Sequence, residues 1–208
     1  MKPKEHWNRI YSGKTSAEMS WFQEHAECSL GLIQNMEIPT TASVIDVGGG
    51  ESTLVDGLLA HGYNNITVLD LAKTALNKAK ARLGKDAQKV KWLESNILDY
   101  EMPTHLYDVW HDRAVFHFLI NNKDRQAYVN KVIQAVKPGG IVIMATFAKD
   151  GPTECSGLPV MRYTASELHN EFGGRFDMLD QITESHYTPD GNEQKFIYCL
   201  YKVVVNER

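Results

Sequence analysis

The middle of the chain alternates short β-branched runs with longer segments whose apolar residues recur at helical spacing. The short runs predict five strands, at residues 43–47, 65–70, 89–93, 107–111 and 141–147. The longer segments predict helices at residues 52–61, 73–83 and 124–136. Because strand and helix alternate, the sequence predicts βαβ units and a doubly wound α/β fold with a mostly parallel sheet.

The pattern changes after residue 148. Residues 148–163 are rich in Gly, Pro and small polar residues and predict a loop. A short helix at 164–172 follows, with Thr and Glu at capping-box spacing. Two extended runs, 176–187 and 195–205, flank a Pro-Asp-Gly-Asn turn. They predict a hairpin that gives the sheet an antiparallel end, for seven strands in all.

The first 40 residues lie outside the alternating core and predict a helical segment that covers the sheet as a lid. This leaves residues 41–208 as the body of a single domain. Aromatic and polar residues are mixed in this segment, and Tyr11 and Trp21 are predicted to contact a bound cofactor. The alternative is a helix packed by its aromatic side chains.

Charge and cysteine usage narrow the function classes. The chain has 22 Lys and Arg against 26 Asp and Glu, a net charge of −4, which disfavours nucleic acid as a partner. Cys28, Cys155 and Cys199 are odd in number and form no CxxC, so a reducing, cytoplasmic compartment is expected. The start is polar and no apolar run is long enough to span a membrane.

The most informative segment is the glycine-rich turn at residues 46–52, between a predicted strand and a predicted helix. Consecutive glycines let the backbone approach a ligand closely, at the sheet edge where α/β proteins bind ligands. The third glycine of a nicotinamide fingerprint is Thr53 here, and no P-loop run is present, so a diphosphate is disfavoured. Asp70, which is 22 positions after Gly48, ends the next strand and is placed to accept ribose hydroxyls.

Four features together resemble class I S-adenosylmethionine-dependent methyltransferases, over roughly residues 42–205. They are Asp-Val-Gly-Gly-Gly at 46–50, Val-Leu-Asp at 68–70, Lys-Pro-Gly-Gly at 137–140 and the terminal hairpin. Residues 107–119 resemble a branch of small bacterial members. The resemblance implies S-adenosylmethionine as cofactor, with S-adenosylhomocysteine as its product. It implies cofactor contacts from Asp46, Gly48, Gly49, Gly50, Asp70, Leu71, Asn96, Ile97 and His111. Asn96 stands where the family usually has an acid, and Ser52 replaces the last glycine of the loop.

A cluster of ionisable residues comes at the end of the predicted fourth strand. His111 and Asp112 are predicted to act as catalytic acid or base. The residues predicted to contact the substrate are Arg113, His117, Arg162 and Tyr163. The structural alternatives are an Asp112–Arg113 ion pair and a His117 packed within a short helix. No Cys or carboxylate set completes a metal site around these histidines, so no metal is predicted.

Three functions remain open. The first is methyl transfer to a small molecule or a protein side chain, in which the enzyme mainly aligns and desolvates the reactants. The second is a catalytically silent domain that binds S-adenosylmethionine as a sensor or partner subunit. The third, a nicotinamide oxidoreductase, requires the missing glycine. The glycine loop fits the first two equally, and the His111–Asp112 pair favours an enzyme. The sequence does not select oxygen, nitrogen or sulfur as the acceptor atom.

Overall fold

The computed structural model describes residues 3–205, which divide into two compact units. One unit comprises residues 3–100 and 187–192, and the other comprises residues 101–186 and 193–205. In the described part of the chain, no helix is long and apolar enough to cross a membrane.

The first unit is built on three parallel strands. Its elements are α1 (Pro3–Gly13), α2 (Glu27–Asn35), β1 (Ser43–Val47), α3 (Leu54–Ala60), β2 (Asn65–Asp70), α4 (Lys73–Leu83) and β3 (Val90–Glu94). β1 pairs in parallel with β2, and β2 with β3. All of β1 and all but the first residue of β2 are buried, as expected of parallel strands covered on both faces.

The second unit contains the rest of the helices and strands. Its elements are β4 (Tyr107–Arg113), α5 (Asn122–Ala135), β5 (Val136–Phe147), β6 (Glu154–Cys155), β7 (Leu158–Pro159), α6 (Ala165–Phe172), β8 (Phe176–Tyr187) and β9 (Glu193–Val203). β4 pairs in parallel with β5, and β5 pairs antiparallel with β9. β8 neighbours β9, and the five residues that join them are too few for a parallel crossover, so this pair is antiparallel.

The strand order of the main sheet is β3-β2-β1-β4-β5-β9-β8, and β6 and β7 form a separate two-stranded ribbon. The predicted fold is therefore confirmed: a doubly wound, Rossmann-like sheet of seven strands, mostly parallel, with an antiparallel C-terminal hairpin. The predicted capping box is also present. The Thr164 hydroxyl accepts from the Glu167 amide at 3.2 Å, and the Glu167 carboxylate accepts from the Thr164 amide at 2.8 Å.

Several element boundaries shift by one or two residues, and three larger differences from the prediction stand out. The fourth strand continues to Arg113, because Asp112 and Arg113 still pair with β5, so the predicted catalytic residues lie inside the strand. The Lys137–Gly140 segment does not separate helix from strand but forms the irregular start of β5, where the register with β4 shifts. The loop at 148–163 contains the β6–β7 ribbon.

The irregular start of β5 depends on a glycine. An added Cβ at Gly140 would lie 2.6 Å from Val136 Cγ1 and 2.9 Å from the Lys137 carbonyl oxygen. We expect Gly140→Ala to lower the free energy of unfolding by about 2 kcal/mol, because the backbone must shift to remove this overlap. Urea unfolding measures the change. At Gly174 an added Cβ meets nothing within 4 Å, so Gly174→Ala is the control and should stay within about 0.5 kcal/mol of wild type. Equal stability of the two variants would contradict the proposed clash.

Candidate active site

The glycine-rich loop lies between β1 and α3 and is held close to β2. The Gly48 amide donates to the Leu69 carbonyl oxygen at 2.7 Å. Gly48 and Gly50 have φ values of 69° and 45°, which L side chains rarely adopt. A Cβ on Gly50 would lie 2.9 Å from the Tyr11 hydroxyl and 3.0 Å from Asp70 Oδ2. Because residue 50 is a glycine, the Asp70 carboxylate and the Tyr11 hydroxyl can lie close to the loop backbone. This arrangement suits a polar ligand that packs closely against the loop.

Asp70 is the central acceptor of this region. It is buried at the end of β2, and its Oδ1 accepts from the Ala72 amide at 2.7 Å. Burial, with a contribution from the Asp46 carboxylate, raises the pKa of this carboxyl to about 7, although hydrogen bonds from the backbone amides of Ala72, Gly50 and Leu71 oppose the rise. When ionised, the two oxygens of Asp70 can accept from adjacent hydroxyls, so the residue fits a ribose.

Asp46 is buried at the carboxyl end of β1, directly before the loop. An added Cβ on Gly49 would collide with the Asp46 carboxylate and would lie 2.8 Å from Val68 Cγ1. The absence of a side chain at Gly49 therefore lets a second carboxylate stay beside the loop. Two carboxylates here suit a ligand that carries an ammonium group and hydroxyls, and they disfavour a diphosphate.

Asn96 and Ile97 follow β3. The Asn96 side-chain oxygen, which is predicted to accept from an adenine, accepts from the Leu98 amide at 3.1 Å. The Asn96 carbonyl oxygen accepts from the amides of Asp99 and Tyr100, both at 3.0 Å. Asn96 therefore shapes a turn that buries Ile97. Its contact with adenine stays a prediction.

The aromatic residues of the N-terminal segment pack against one another. The Tyr11 ring meets the Trp7 ring at 6.3 Å and the Trp21 ring at 5.8 Å between centroids, and the cluster includes Ala72 and Ala75 near the start of α4. This is the packing that the structural alternative predicted. The structure also brings the Tyr11 hydroxyl to Gly50, so Tyr11 lies at the loop as well as in the cluster.

Asp112 is fully buried in the second unit and organises the turn after β4. Its Oδ1 accepts from the Val115 amide at 2.9 Å, and its Oδ2 accepts from the Phe116 amide at 3.1 Å and from the Tyr128 hydroxyl. Trp110 Nε1 in turn donates to the Tyr128 oxygen at 3.0 Å. Burial raises the pKa of Asp112 to about 6, and the bond from Tyr128 opposes that rise. These contacts favour a structural role, and a catalytic role for Asp112 stays a prediction.

Arg113 pairs with the C-terminal hairpin. Its Nε donates to the Tyr198 hydroxyl at 3.0 Å, and that hydroxyl donates to Glu184 Oε2 at 3.0 Å. Arg113 Nη2 lies 3.6 Å from the same carboxylate oxygen, and the guanidinium lies 4.1 Å from the centre of the Phe196 ring. The positive charge predicted for an anionic substrate is thus already compensated by Glu184.

His117 is fully buried between aromatic rings, with Phe118 at 4.5 Å and Phe147 at 4.8 Å between centroids. Burial, together with the nearby Arg113 charge, lowers its pKa to about 3, so the ring is neutral. Its Nδ1 accepts from the Phe147 amide at 3.4 Å, which places the proton on Nε2. Within residues 3–205, Nε2 has no hydrogen-bond partner. His117 is therefore a weak proton acceptor and an available donor.

The loop after β5 returns to the same region. The Met161 amide donates to the His117 carbonyl oxygen at 2.8 Å, and the Tyr163 amide donates to the Phe147 carbonyl oxygen at 3.0 Å. Burial raises the pKa of Tyr163, whose hydroxyl has no partner in the described part of the chain. Arg162 Nη1 donates to the Gly151 carbonyl oxygen at 3.1 Å.

His111 lies buried within β4, opposite Ile143 of β5. The sequence predicts His111 as the last residue of this strand, and in the structure β4 continues two residues beyond it. In residues 3–205, no group of three or more His, Cys, Asp or Glu side chains is arranged to hold a metal ion.

The sequence analysis did not identify Tyr128 as a site residue, although its hydroxyl donates a hydrogen bond to Asp112. We expect Tyr128→Phe to lower the free energy of unfolding by about 2 kcal/mol, because it deprives a buried carboxylate and the Trp110 indole of a partner. Thermal and urea unfolding measure the loss. Tyr187→Phe, at a residue 63% exposed, is the control and should match wild type. A wild-type stability for Tyr128→Phe would show that the network contributes little.

Comparison with known proteins supports one family. Residues 44–140 match the family model described as a methyltransferase domain. The human EEF1A lysine methyltransferase 2 is 24% identical, over 95% of this chain and 84% of its own length. The malonyl-[acyl-carrier protein] O-methyltransferase 2 of Ilyobacter polytropus is 27% identical, over 69% of this chain and 54% of its own.

The fold is shared with solved methyltransferases. The 1,6-didemethyltoxoflavin-N1-methyltransferase of Burkholderia thailandensis, solved with S-adenosylhomocysteine bound, has a TM-score of 0.70 at 17% identity. The match covers 99% of this chain and 92% of that one. The domain match over residues 44–140, the curated relatives and the shared fold all support an S-adenosylmethionine-dependent methyltransferase.

Proposed function

We propose that this methyltransferase acts on a primary amine, that of a lysine side chain in a protein. The observation that carries the proposal is the extent of the similarity. The human relative named as a lysine methyltransferase is similar over 95% of this chain, whereas the relative named as an O-methyltransferase is similar over 69%. Similarity to the lysine methyltransferase therefore covers more of the residues outside the cofactor half than similarity to the O-methyltransferase does.

The acceptor-side groups suit an amine. A hydroxyl needs a base to remove its proton during attack. Asp112 is surrounded by hydrogen-bond donors, and the pKa of His117 is about 3, so both are poor bases at neutral pH. An amine becomes nucleophilic once its proton leaves, and an apolar surrounding promotes that loss by lowering the amine pKa. Of the predicted catalytic pair, we retain His111 as the group that receives a proton.

We place the cofactor at the glycine-rich loop of the first unit, where it supplies an electrophilic methyl group on a sulfonium. Asp70 accepts the ribose hydroxyls, and Asp46 faces the ammonium group of the methionine part. The remaining residues proposed to line the cofactor are Gly48, Gly49, Gly50, Leu71, Asn96, Ile97, Tyr11 and Trp21. The close approach allowed by Gly49 and Gly50 and the two buried carboxylates support this placement.

The roles proposed for Arg113, Arg162 and Tyr163 in binding the substrate stay predictions. Of the predicted substrate residues, His117 has direct support, because its Nε2 is a buried donor with no partner within residues 3–205. We also propose a cytoplasmic setting, supported by three cysteines that are thiols rather than disulfides.

Asp70 makes cofactor binding depend on pH. Because its pKa is about 7, we expect the affinity for S-adenosylmethionine to fall as pH is lowered through 7, since protonation removes acceptor capacity. The stability of the protein without cofactor should change in the opposite direction. A folded-state pKa above the ordinary value means that the contribution of Asp70 to stability falls as pH rises from about 4 to about 7. Calorimetric titration and urea unfolding across this range measure both trends.

The matched variants are Asp70→Asn and Asp99→Asn, the latter at an exposed position. Asp70→Asn should weaken cofactor binding about tenfold or more, the loss expected for a hydrogen bond to a charged group, and should flatten both pH trends. Asp99→Asn should behave as wild type. An unchanged affinity in Asp70→Asn would remove Asp70 from the cofactor site.

The acceptor class is tested with methyl-labelled S-adenosylmethionine and two fractions of one cell extract, the proteins and the ultrafiltrate. We expect label on lysine residues of proteins, identified by mass spectrometry, because the acceptor is proposed to be a lysine amine. Asp70→Asn should reduce the labelling at limiting cofactor concentration, and His111→Ala should lower turnover more than cofactor affinity. Label confined to the ultrafiltrate would contradict a protein acceptor while leaving methyl transfer itself intact.

A further inference from the structure

Arg82, in the last turn of α4, holds the far end of the glycine-rich loop. Its Nη1 donates to the Glu51 carbonyl oxygen at 2.8 Å, and its Nη2 donates to the Ser52 carbonyl oxygen at 2.7 Å. Its Nε and Nη2 also bind the two carboxylate oxygens of Asp56 in α3, at 3.0 and 2.7 Å. One planar guanidinium thus joins α4, α3 and two consecutive loop carbonyls.

This contact completes a set of three anchors. The first is the bond from the Gly48 amide to the Leu69 carbonyl oxygen, and the second is the Gly50 amide, which hydrogen-bonds the Asp70 carboxylate. Arg82 acts on the residues that follow Gly50. Glycines lose more conformational freedom on ordering than any other residue, so a loop with three of them is costly to hold in one shape. Fixing a carbonyl oxygen fixes its whole peptide plane.

We propose that Arg82 is a positioning residue for S-adenosylmethionine, which holds the loop in its binding conformation before the cofactor arrives. The inference rests on the proposed placement of the cofactor at this loop. Arg82 acts through the carbonyl oxygens of Glu51 and Ser52, and its charge is compensated by Asp56. The planar arrangement of donors in the guanidinium, rather than its charge, is therefore what is proposed to hold the loop. A lysine keeps the charge but has three donors on a single nitrogen, so it cannot make the four hydrogen bonds that the guanidinium makes from three nitrogens.

The experiment compares Arg82→Lys and Arg82→Gln with the same two substitutions at Arg175, an exposed residue of the second unit. Calorimetry gives the affinity for S-adenosylmethionine and for S-adenosylhomocysteine, at a temperature where circular dichroism shows each variant folded. Hydrogen exchange reports the amides of residues 48–53 separately from the rest of the chain. Asp56→Asn, which removes the negative charge that pairs with Arg82, is measured in parallel.

Both Arg82 variants should bind the two ligands about tenfold more weakly, because only the ordered fraction of the loop is competent to bind. Exchange should quicken at residues 48–53 and stay unchanged elsewhere, and Asp56→Asn should show a smaller effect in the same direction. The Arg175 variants should stay within twofold of wild type.

Two outcomes would overturn the inference. One is wild-type affinity in both Arg82 variants while Asp70→Asn binds weakly, which would leave the proposed cofactor site intact. The other is exchange that quickens uniformly over the whole chain, which would assign Arg82 to general stability. Wild-type affinity in Asp70→Asn as well would instead contradict the placement of the cofactor. If Arg82→Gln does not fold, Arg82→Lys carries the test, since it keeps the charge and most of the aliphatic stem.

Discussion

The burial of the Asp70 carboxylate is the constraint on which the cofactor half of this protein depends. Removing a carboxylate from water is costly, and here backbone amides of the surrounding turn offset part of that cost. Two of these amides, those of Gly50 and Leu71, belong to residues that are proposed to contact the cofactor. Gly50 has to lack a side chain, because an added Cβ would approach both Asp70 and the Tyr11 hydroxyl. The position of the Asp70 carboxylate, the conformation of the loop and the need for glycine at position 50 therefore depend on one another.

The second unit buries an aspartate with a different result. Asp112 receives two backbone amides and the Tyr128 hydroxyl, and these bonds shape the turn after β4. Asp70 ends its strand beside a glycine loop, whereas Asp112 lies within a strand and beneath a tyrosine that itself accepts from a tryptophan. The buried aspartates of β2 and β4 therefore serve different purposes, and the groups that donate hydrogen bonds to them distinguish the two.

The acceptor side is consistent with a reaction that needs little proton transfer from the enzyme. A sulfonium is already a good leaving group, so alignment and exclusion of water account for most of the catalytic effect. His117, neutral and donating, and Arg113, compensated by Glu184, are suited to orienting a substrate rather than to removing a proton. The one proton that an amine acceptor has to lose is assigned to His111.

The sequence by itself determined the order of strands and helices, the glycine loop and the carboxylate 22 positions after it, because each is encoded by local periodicity or by spacing within one βαβ unit. The sequence could also mark His111 and Asp112 as a polar cluster after an apolar run. It could not distinguish a catalytic Asp112 from a structural one, since its partner Tyr128 lies on α5. Nor could it find Arg82, whose contacts lie 26 to 31 positions earlier in the chain. Those roles depend on which side chains the packed helices bring to a backbone carbonyl or a carboxylate, and only the tertiary structure decided that.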